Sequence, residues 1–299
     1  MAMTPMRSLS PFSPSRRGDD LRVRADADGY LYLPGLLPQD LILGLRRDVL
    51  ACCAAEGVVA SAEDDRPLPG AGLREGGSEA WQRLYGRIQR LRSFHAANRH
   101  PILLGLLRDL LGGDILAHPR AIARVVWPDT ARYSTPAHQD HFYIGGTLDT
   151  WTAWIPLGDC PAVLGGLAIL PGSHRHGLLP VHQAEGAGGH GVDVDGADWV
   201  GGDVAVGDVL LMHSLTVHQG RDNTTGRLRL STDFRYQRSD AAIDAASLQP
   251  HMGWWTWDEL TADWPVGDDL AADLRGCYGA VPSEPPLIID ALSRPKAAS

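Results

Sequence analysis

Within TPAHQDHFY, residues 135–143, two histidines and a carboxylate fall in four consecutive positions of a chain with only 12 histidines in 299 residues. On a β-strand, residues i and i+2 share a face about 6.5–7 Å apart, so His138 and Asp140 are able to converge on one ion while Gln139 points away. Such a pair is common by chance, and its plainer reading is a solvated strand end. A second segment changes the balance. In GDVLLMHSLTVHQGRDNTTGRLRLSTDFRYQ, His213 and His218 both lie in strand-like sequence, the latter 78 residues after Asp140. Two histidines and one carboxylate make the facial triad of non-haem Fe(II), which leaves three adjacent coordination positions for substrates, whereas a catalytic zinc usually keeps one. Either histidine of this segment completes the set; His213, which ends an apolar strand, reads equally as a core residue.

Beyond His218, the run RLRLSTDF alternates Arg227, Arg229, Ser231 and Asp233 on one face with Leu228, Leu230, Thr232 and Phe234 on the other. A face with two arginines is either solvated or lines a polar cavity. If it points inward, one guanidinium is able to fork onto the carboxylate of a bound molecule. Periodicity does not choose between Arg227 and Arg229.

With these residues in hand, the chain resembles the phytanoyl-CoA dioxygenase family of Fe(II)/2-oxoglutarate-dependent oxygenases, over most of its length. DGYLYLPGLLPQDLILGLRRD is similar to that family's opening strand and helix, and WIPLGDCPAVLGGLAILPGSH to its W-x-x-L segment, Gly-rich turn and PGSH motif. HQGRDNTTGRLR matches the distal-histidine motif, in which the arginine for 2-oxoglutarate follows the histidine by 11 residues and the asparagine by six; both counts land on Arg229. Each motif alone is common, but the set in this order is specific. The resemblance implies His138, Asp140 and His218 as catalytic metal ligands, in preference to His213. It implies Arg229, in preference to Arg227, as the grip on 2-oxoglutarate, with Trp154 beside that co-substrate. His174 of PGSH is expected to cap its turn.

The implied fold is mainly β: a double-stranded β-helix, a cupin-like jelly roll of two facing sheets, with N-terminal helices packed on one of them. Fe(II), 2-oxoglutarate and O2 are the implied cofactors. The implied reaction decarboxylates 2-oxoglutarate to succinate and hydroxylates, desaturates or cyclises a small-molecule substrate. Asp140 stands where related halogenases carry Gly or Ala, which favours hydroxylation. Bacterial members often tailor secondary metabolites, and an intermediate of antibiotic biosynthesis is the expected substrate class. Two rivals remain at this level: a catalytically silent jelly-roll binding protein, and a metal-dependent enzyme of similar fold that does not use 2-oxoglutarate.

The elements that must position these residues divide at about Gly113. Before it, residues 1–20 read as a flexible N-terminal tail, with 21–299 as a single domain. A short strand then leads to a helix that starts at Pro38 and buries Leu41, Leu45 and Val49. After a loop over 58–77, helices are expected over 78–97 and 101–111, the second closed by Gly112. Beyond Gly113 come short β segments separated by Gly, Pro and Asp. The stretch 175–203 reads as a mobile active-site loop. HMGWWTWDELTADW carries Trp254, Trp255, Trp257 and Trp264, suited to an aromatic wall over the site, a dimer interface or core packing.

A net charge of −9 argues against nucleic acid and for a small-molecule substrate. No apolar run approaches the roughly 20 residues of a membrane span. The four cysteines form neither a disulfide framework nor a CxxC site, so a cytoplasmic monomer or homodimer is expected.

Overall fold

A computed structural model describes residues 6–12, 18–71, 78–128, 134–194, 198–276 and 288–289. Five helices gather near the start: α1 (Gly18–Asp28), α2 (Gln39–Ala55), α3 (Glu79–Gln89), α4 (Arg92–Asn98) and α5 (Pro101–Leu111). In α2, Ile42, Leu45, Val49 and Cys53 recur at three- and four-residue steps and are buried, while Leu41 is only partly covered. Pro38 is the residue just before this helix rather than its first. The helical pattern over 78–97 breaks at Arg90 and Leu91, so α3 and α4 pack as separate pieces. Gly112 closes α5 in the left-handed conformation (φ 71°, ψ 48°), as its position predicts. No helix among the described residues is long and apolar enough to cross a membrane.

The strands are β1 (Arg7–Ser8), β2 (Tyr30–Leu33), β3 (Ile115–Ala117), β4 (Ile122–Val126), β5 (Trp151–Pro156), β6 (Leu167–Ile169), β7 (Val181–Gln183), β8 (His190–Val192), β9 (Val200–Gly201), β10 (Val209–His213), β11 (His218–Gly220) and β12 (Arg229–Arg238), followed by a parallel pair, β13 (Ile243–Asp244) and β14 (Ile288–Ile289). The larger sheet runs β2-β10-β5-β12-β3, with β4 also paired to β12; the smaller runs β1-β9-β6-β11. Opposed residues of antiparallel neighbours share a face, so the register sorts the larger sheet into two sides. Ala153, Ile155, Leu211, Leu230, Phe234 and Tyr236 look outward onto the helices and form the main core. Trp154, Leu210 and Met212 look inward and pack against Ile169 and Val200 of the smaller sheet. Two sheets sharing an interior layer, with helices on one outer face, make the expected jelly roll. Toward β12 and β4 that interior layer turns polar.

Two expectations need correction, and a third that was left open is decided. Residues 6–12 do not trail: β1 pairs with β9, and Leu9 and Phe12 are buried, because the open edge of β9 offers backbone partners and the interior accepts two apolar side chains. Within 175–203 the chain is not patternless, since β7 and β8 form a hairpin whose Val192 N–H donates to the Ala137 carbonyl. Of the roles left open for the tryptophans (an aromatic wall over the site, a dimer interface or core packing), core packing is taken by three of the four. Trp257 is buried with Leu260 and Leu274, Trp255 and Trp264 pack on them, and the Trp264 indole donates to the Arg90 carbonyl between α3 and α4.

Candidate metal centre and active-site cavity

His138 and His218 face each other in an isolated antiparallel bridge, exchanging N–H···O bonds of 3.0 and 3.1 Å, which sets their rings side by side with centroids 4.2 Å apart. Each ring spends its Nδ1–H on a backbone carbonyl two residues back, Pro136 O at 2.8 Å and Thr216 O at 3.0 Å. A carbonyl only accepts, so each imidazole is fixed in the tautomer whose Nε2 lone pair is free for a metal. Burial, and then the neighbouring His218, push the His138 pKa down to about 3, keeping it a neutral ligand.

Asp140 reaches the same point by a route that strand periodicity does not describe. Its backbone is helical (φ −60°, ψ −32°), at the head of the short helix α6 (His141–Ile144). The break is held by buried Gln139, which donates to Gly177 O and Leu215 O at 2.8 Å and accepts the Leu179 N–H at 2.9 Å. One ligand atom each from His138, Asp140 and His218 lies within 4.8 Å of the others, and all three residues are buried. Among the described residues this is the one such cluster of three or more metal-ligating side chains.

Sequence reasoning missed what secures the carboxylate. Thr152 Oγ1 donates to Asp140 Oδ2 at 2.5 Å, and Arg235 Nη2 to Oδ1 at 3.2 Å, both inside the fold. Burial opposes ionisation of Asp140, but Arg235 and the Thr152 hydroxyl hold it well below the usual carboxylate range. A signal for both residues existed. Extending the alternation of β12 past Asp233 puts Arg235 on the Arg229 face, and Thr152 shares the face of Trp154 on β5.

The motif surrounding His218 is built by side-chain bonds to backbone. Ser173 of the PGSH turn donates to Leu170 O and accepts the Val217 N–H, anchoring the start of β11. His174 does not cap that turn but bonds to Asp26 O in α1, and it takes no part in the cluster. Asn223 accepts from Thr225 and donates to Arg227 O at 2.6 Å, shaping the turn that delivers β12 at Arg229. The turn requires glycine at 165, where φ is +82° and a Cβ would stand 2.5 Å from Arg221 O.

Arg227 and Arg229 part company. Arg227 precedes β12 and is half-exposed; its Nε and Nη2 fork onto Asp65 at 2.7–3.0 Å, a carboxylate that Arg46 also engages. The shared face expected for the two arginines therefore starts only at Arg229. That residue is 4% exposed, its Nε has no hydrogen-bond partner, and its Nη1 has only a long contact of 3.4 Å to Ser231. Burial lowers its pKa to about 10, and its Cζ lies 5.9 Å from the centroid of the Trp154 ring. His213 is remote from the cluster, packed on Trp151 and His174 on the outer side of β10.

A cavity of about 550 Å3 opens onto His138 and Asp140. Arg229 and Val126 lie at one end; Tyr85, Arg120 and His251 lie at the other.

Comparison with known proteins identifies the family of the chain. The family model for phytanoyl-CoA dioxygenase matches residues 25–231. The 1-deoxypentalenic acid 11-beta-hydroxylase of Streptomyces exfoliatus is 28% identical over 255 residues, covering 80% of this chain and 85% of the relative. Its namesake from Streptomyces arenae is 29% identical over 256 residues with the same coverage. Among solved structures, the epimerase SnoN in complex with Fe3+, alpha ketoglutarate and nogalamycin RO is 25% identical with a TM-score of 0.51, over 76% of this chain and 85% of that one. The carbocyclase SnoK from nogalamycin biosynthesis shares the fold, with a TM-score of 0.56 at 22% identity over 78% of this chain and 89% of that one. A match across 207 residues, carrying the buried His–Asp–His cluster within it, makes this chain a member of the phytanoyl-CoA dioxygenase family and a non-haem iron, 2-oxoglutarate-dependent oxygenase.

Proposed function

We propose that His138, Asp140 and His218 hold Fe(II), that Arg229 pairs with the distal carboxylate of 2-oxoglutarate beside Trp154, and that the enzyme uses O2 to hydroxylate a small-molecule intermediate of secondary metabolism. The observation that carries this reading is the pairing of a buried His–Asp–His cluster with a buried guanidinium that makes no ion pair among the described residues. A charge so placed is costly unless a ligand neutralises it. The donor set also fits: two neutral imidazoles and one ionised carboxylate suit Fe(II) and leave adjacent positions open. The two hydroxylase relatives support hydroxylation and the substrate class.

With iron and 2-oxoglutarate bound, the site would supply O2 activation: O2 is the oxidant, 2-oxoglutarate gives two electrons in becoming succinate and CO2, and the substrate C–H bond that is hydroxylated gives the other two. The chain's own residues do the rest. Thr152 and Arg235 fix both oxygens of Asp140 and so its orientation as a ligand. Ile122, Trp127 and Ile144 give the cavity an apolar wall that keeps bulk water from the reacting centre. O2-dependent succinate formation from 2-oxoglutarate tests the proposal. The wild type is expected to produce succinate, and a His218→Ala variant to produce none; equal production by both would contradict it.

A further inference from the structure

The walls of the cavity deliver one hydrogen-bond donor that the metal site does not use. Ala123 lies three positions, about 10 Å, along β4 from Val126, the partner of Arg229, and its backbone N–H donates to the Tyr85 hydroxyl. Tyr85 of α3 in turn holds His251, with Oη 2.5 Å from Nδ1. The phenol oxygen already accepts from Ala123 and burial keeps it protonated, so its own hydrogen goes to Nδ1. Burial, and then Arg120, Arg235 and Arg124, keep the imidazole neutral, which leaves its one proton on Nε2. The metal-facing histidines obey the same rule with the opposite polarity. A carbonyl at Nδ1 makes Nε2 of His138 and His218 an acceptor, whereas a phenol at Nδ1 makes Nε2 of His251 a donor. That Nε2 has no hydrogen-bond partner among the described residues, and its ring lines the cavity.

The surrounding chain is built to keep the ring there. Met252, next in sequence, has φ 74°, the one positive φ outside glycine among the described residues, and it stands 44% exposed at the cavity wall beside His251. Such a conformation persists only where the packing around it enforces it. Trp255 supplies that packing, tilted on Tyr85 with ring centroids 6.5 Å apart and so close to α3 that a Cβ on Gly86 would stand 2.8 Å from the indole. On the other side of the segment the Trp257 indole donates to Leu248 O at 2.9 Å. Trp81, Leu84, Ile122 and Met252 make this end of the cavity apolar, and Arg120, which lines it too, already has a partner of its own. A lone neutral donor among apolar walls matches one uncharged oxygen, because an anion placed there would lose far more hydration than a single neutral hydrogen bond returns.

We propose that His251 is a specificity-determining residue that donates its Nε2–H to an uncharged carbonyl oxygen of the substrate, with Tyr85 as the positioning residue that fixes its tautomer. The substrate then reaches this enzyme already carrying a keto group, and the bond to His251 selects which of its C–H bonds faces the metal ligands. This inference rests on the iron/2-oxoglutarate reading, which gives the Arg229 end of the cavity to the co-substrate and the His251 end to the substrate. The test is calorimetric titration of the anaerobic enzyme, loaded with Fe(II) and saturating 2-oxoglutarate, with camphor and with its near-isosteric 2-methylene analogue, in which C=CH2 replaces C=O. Relative to the analogue, camphor is expected to lose about 2- to 12-fold in affinity in His251→Phe, the equivalent of one neutral hydrogen bond. His251→Gln, which keeps a donor, should recover part of that loss, and Tyr85→Phe, which frees the tautomer, should show part of it. Equal changes for the two probes in His251→Phe, as a purely packing role predicts, would overturn the proposal. So would binding of neither probe at millimolar concentration, or an undiminished camphor preference in Tyr85→Phe. The visible absorption of the Fe(II)–2-oxoglutarate enzyme, recorded first, separates the two readings. If that absorption is absent the co-substrate assignment fails, and if it is present without a His251-dependent preference for the ketone only the role of His251 fails.

Discussion

Arg229 carries a buried charge that the folded chain does not neutralise, and replacing it with methionine should move stability and function in opposite directions. Its pKa falls from 12.5 to about 10 on burial, which corresponds to about 3 kcal/mol of unfavourable desolvation. At neutral pH the guanidinium is charged in both folded and unfolded chains, so the whole cost is present there. Methionine keeps a long, flexible side chain against Trp154 without that cost. In the absence of 2-oxoglutarate, Arg229→Met is therefore expected to be more stable than the wild type, by about 1–3 kcal/mol. With 2-oxoglutarate and Fe(II) present under anaerobic conditions the order should reverse, because only the wild type gains binding energy from the distal carboxylate. Loss of a charge-assisted pair worth about 1.5–3 kcal/mol raises the 2-oxoglutarate concentration for half-maximal succinate formation by roughly 10- to 150-fold. Arg227→Met, which breaks only the half-exposed pair with Asp65, should leave that concentration nearly unchanged. Denaturation with and without 2-oxoglutarate, together with succinate assays, measures both effects. A variant that is less stable without the ligand, or that keeps the wild-type 2-oxoglutarate requirement, would refute the reasoning.

His138→Ala, Asp140→Ala and His218→Ala should each abolish succinate formation with the circular dichroism of the fold retained, while His213→Ala keeps most activity; the opposite outcome for the two distal histidines would reverse the ligand assignment. Burial lowers the pKa of both His95 and His118 to about 4, so their contribution to stability is complete above the unfolded value of 6.5 and is lost as pH falls from there toward 4. By about pH 5 each should cost about 2 kcal/mol, read from denaturant midpoints, and a profile flat between neutrality and that pH would contradict it. Gly165→Ala forces a Cβ against Arg221 O and Asn223 N at a positive φ. It should destabilise the fold by about 1–3 kcal/mol and weaken iron binding through the displaced turn after His218, whereas wild-type affinity would show that turn to be adaptable. Backbone amides of residues 184–189, which carry three cavity-lining positions at the tip of the β7–β8 hairpin, should exchange more slowly once Fe(II) and 2-oxoglutarate are bound. Exchange already as slow as in β12 without them would exclude closure of this tip.

The parts of the molecule that sequence made legible are those in which one local rule governs. Period-2 alternation placed Arg229, Ser231 and Asp233 on one face of β12, which the structure turns inward, and Gly112 ended α5 where a left-handed residue was needed. The spacing within HQGRDNTTGRLR carried through because Asn223 and Thr225 bond the turn together locally. What stayed hidden depends on partners distant in sequence. Helix α1 buries chiefly Leu21 and Ala25 among charged neighbours, too thin a stripe to be recognised. Strand geometry brought His138 and Asp140 to notice for the wrong reason: a bridge to His218 and a helical turn held by Gln139 make them converge. Arg227 left the shared face because Asp65, from the loop before α3, draws it away. Tyr85 and His251 meet across 166 residues, a contact no local pattern announces.

The most direct test of the central claim is anaerobic titration of the protein with Fe(II) in the presence of 2-oxoglutarate, followed by visible absorption. The structure predicts a weak metal-to-ligand charge-transfer band that saturates at one iron per chain, is absent in His218→Ala and persists in His213→Ala. A protein that binds no iron, or that binds iron without developing the band when 2-oxoglutarate is added, would contradict the assignment of this site.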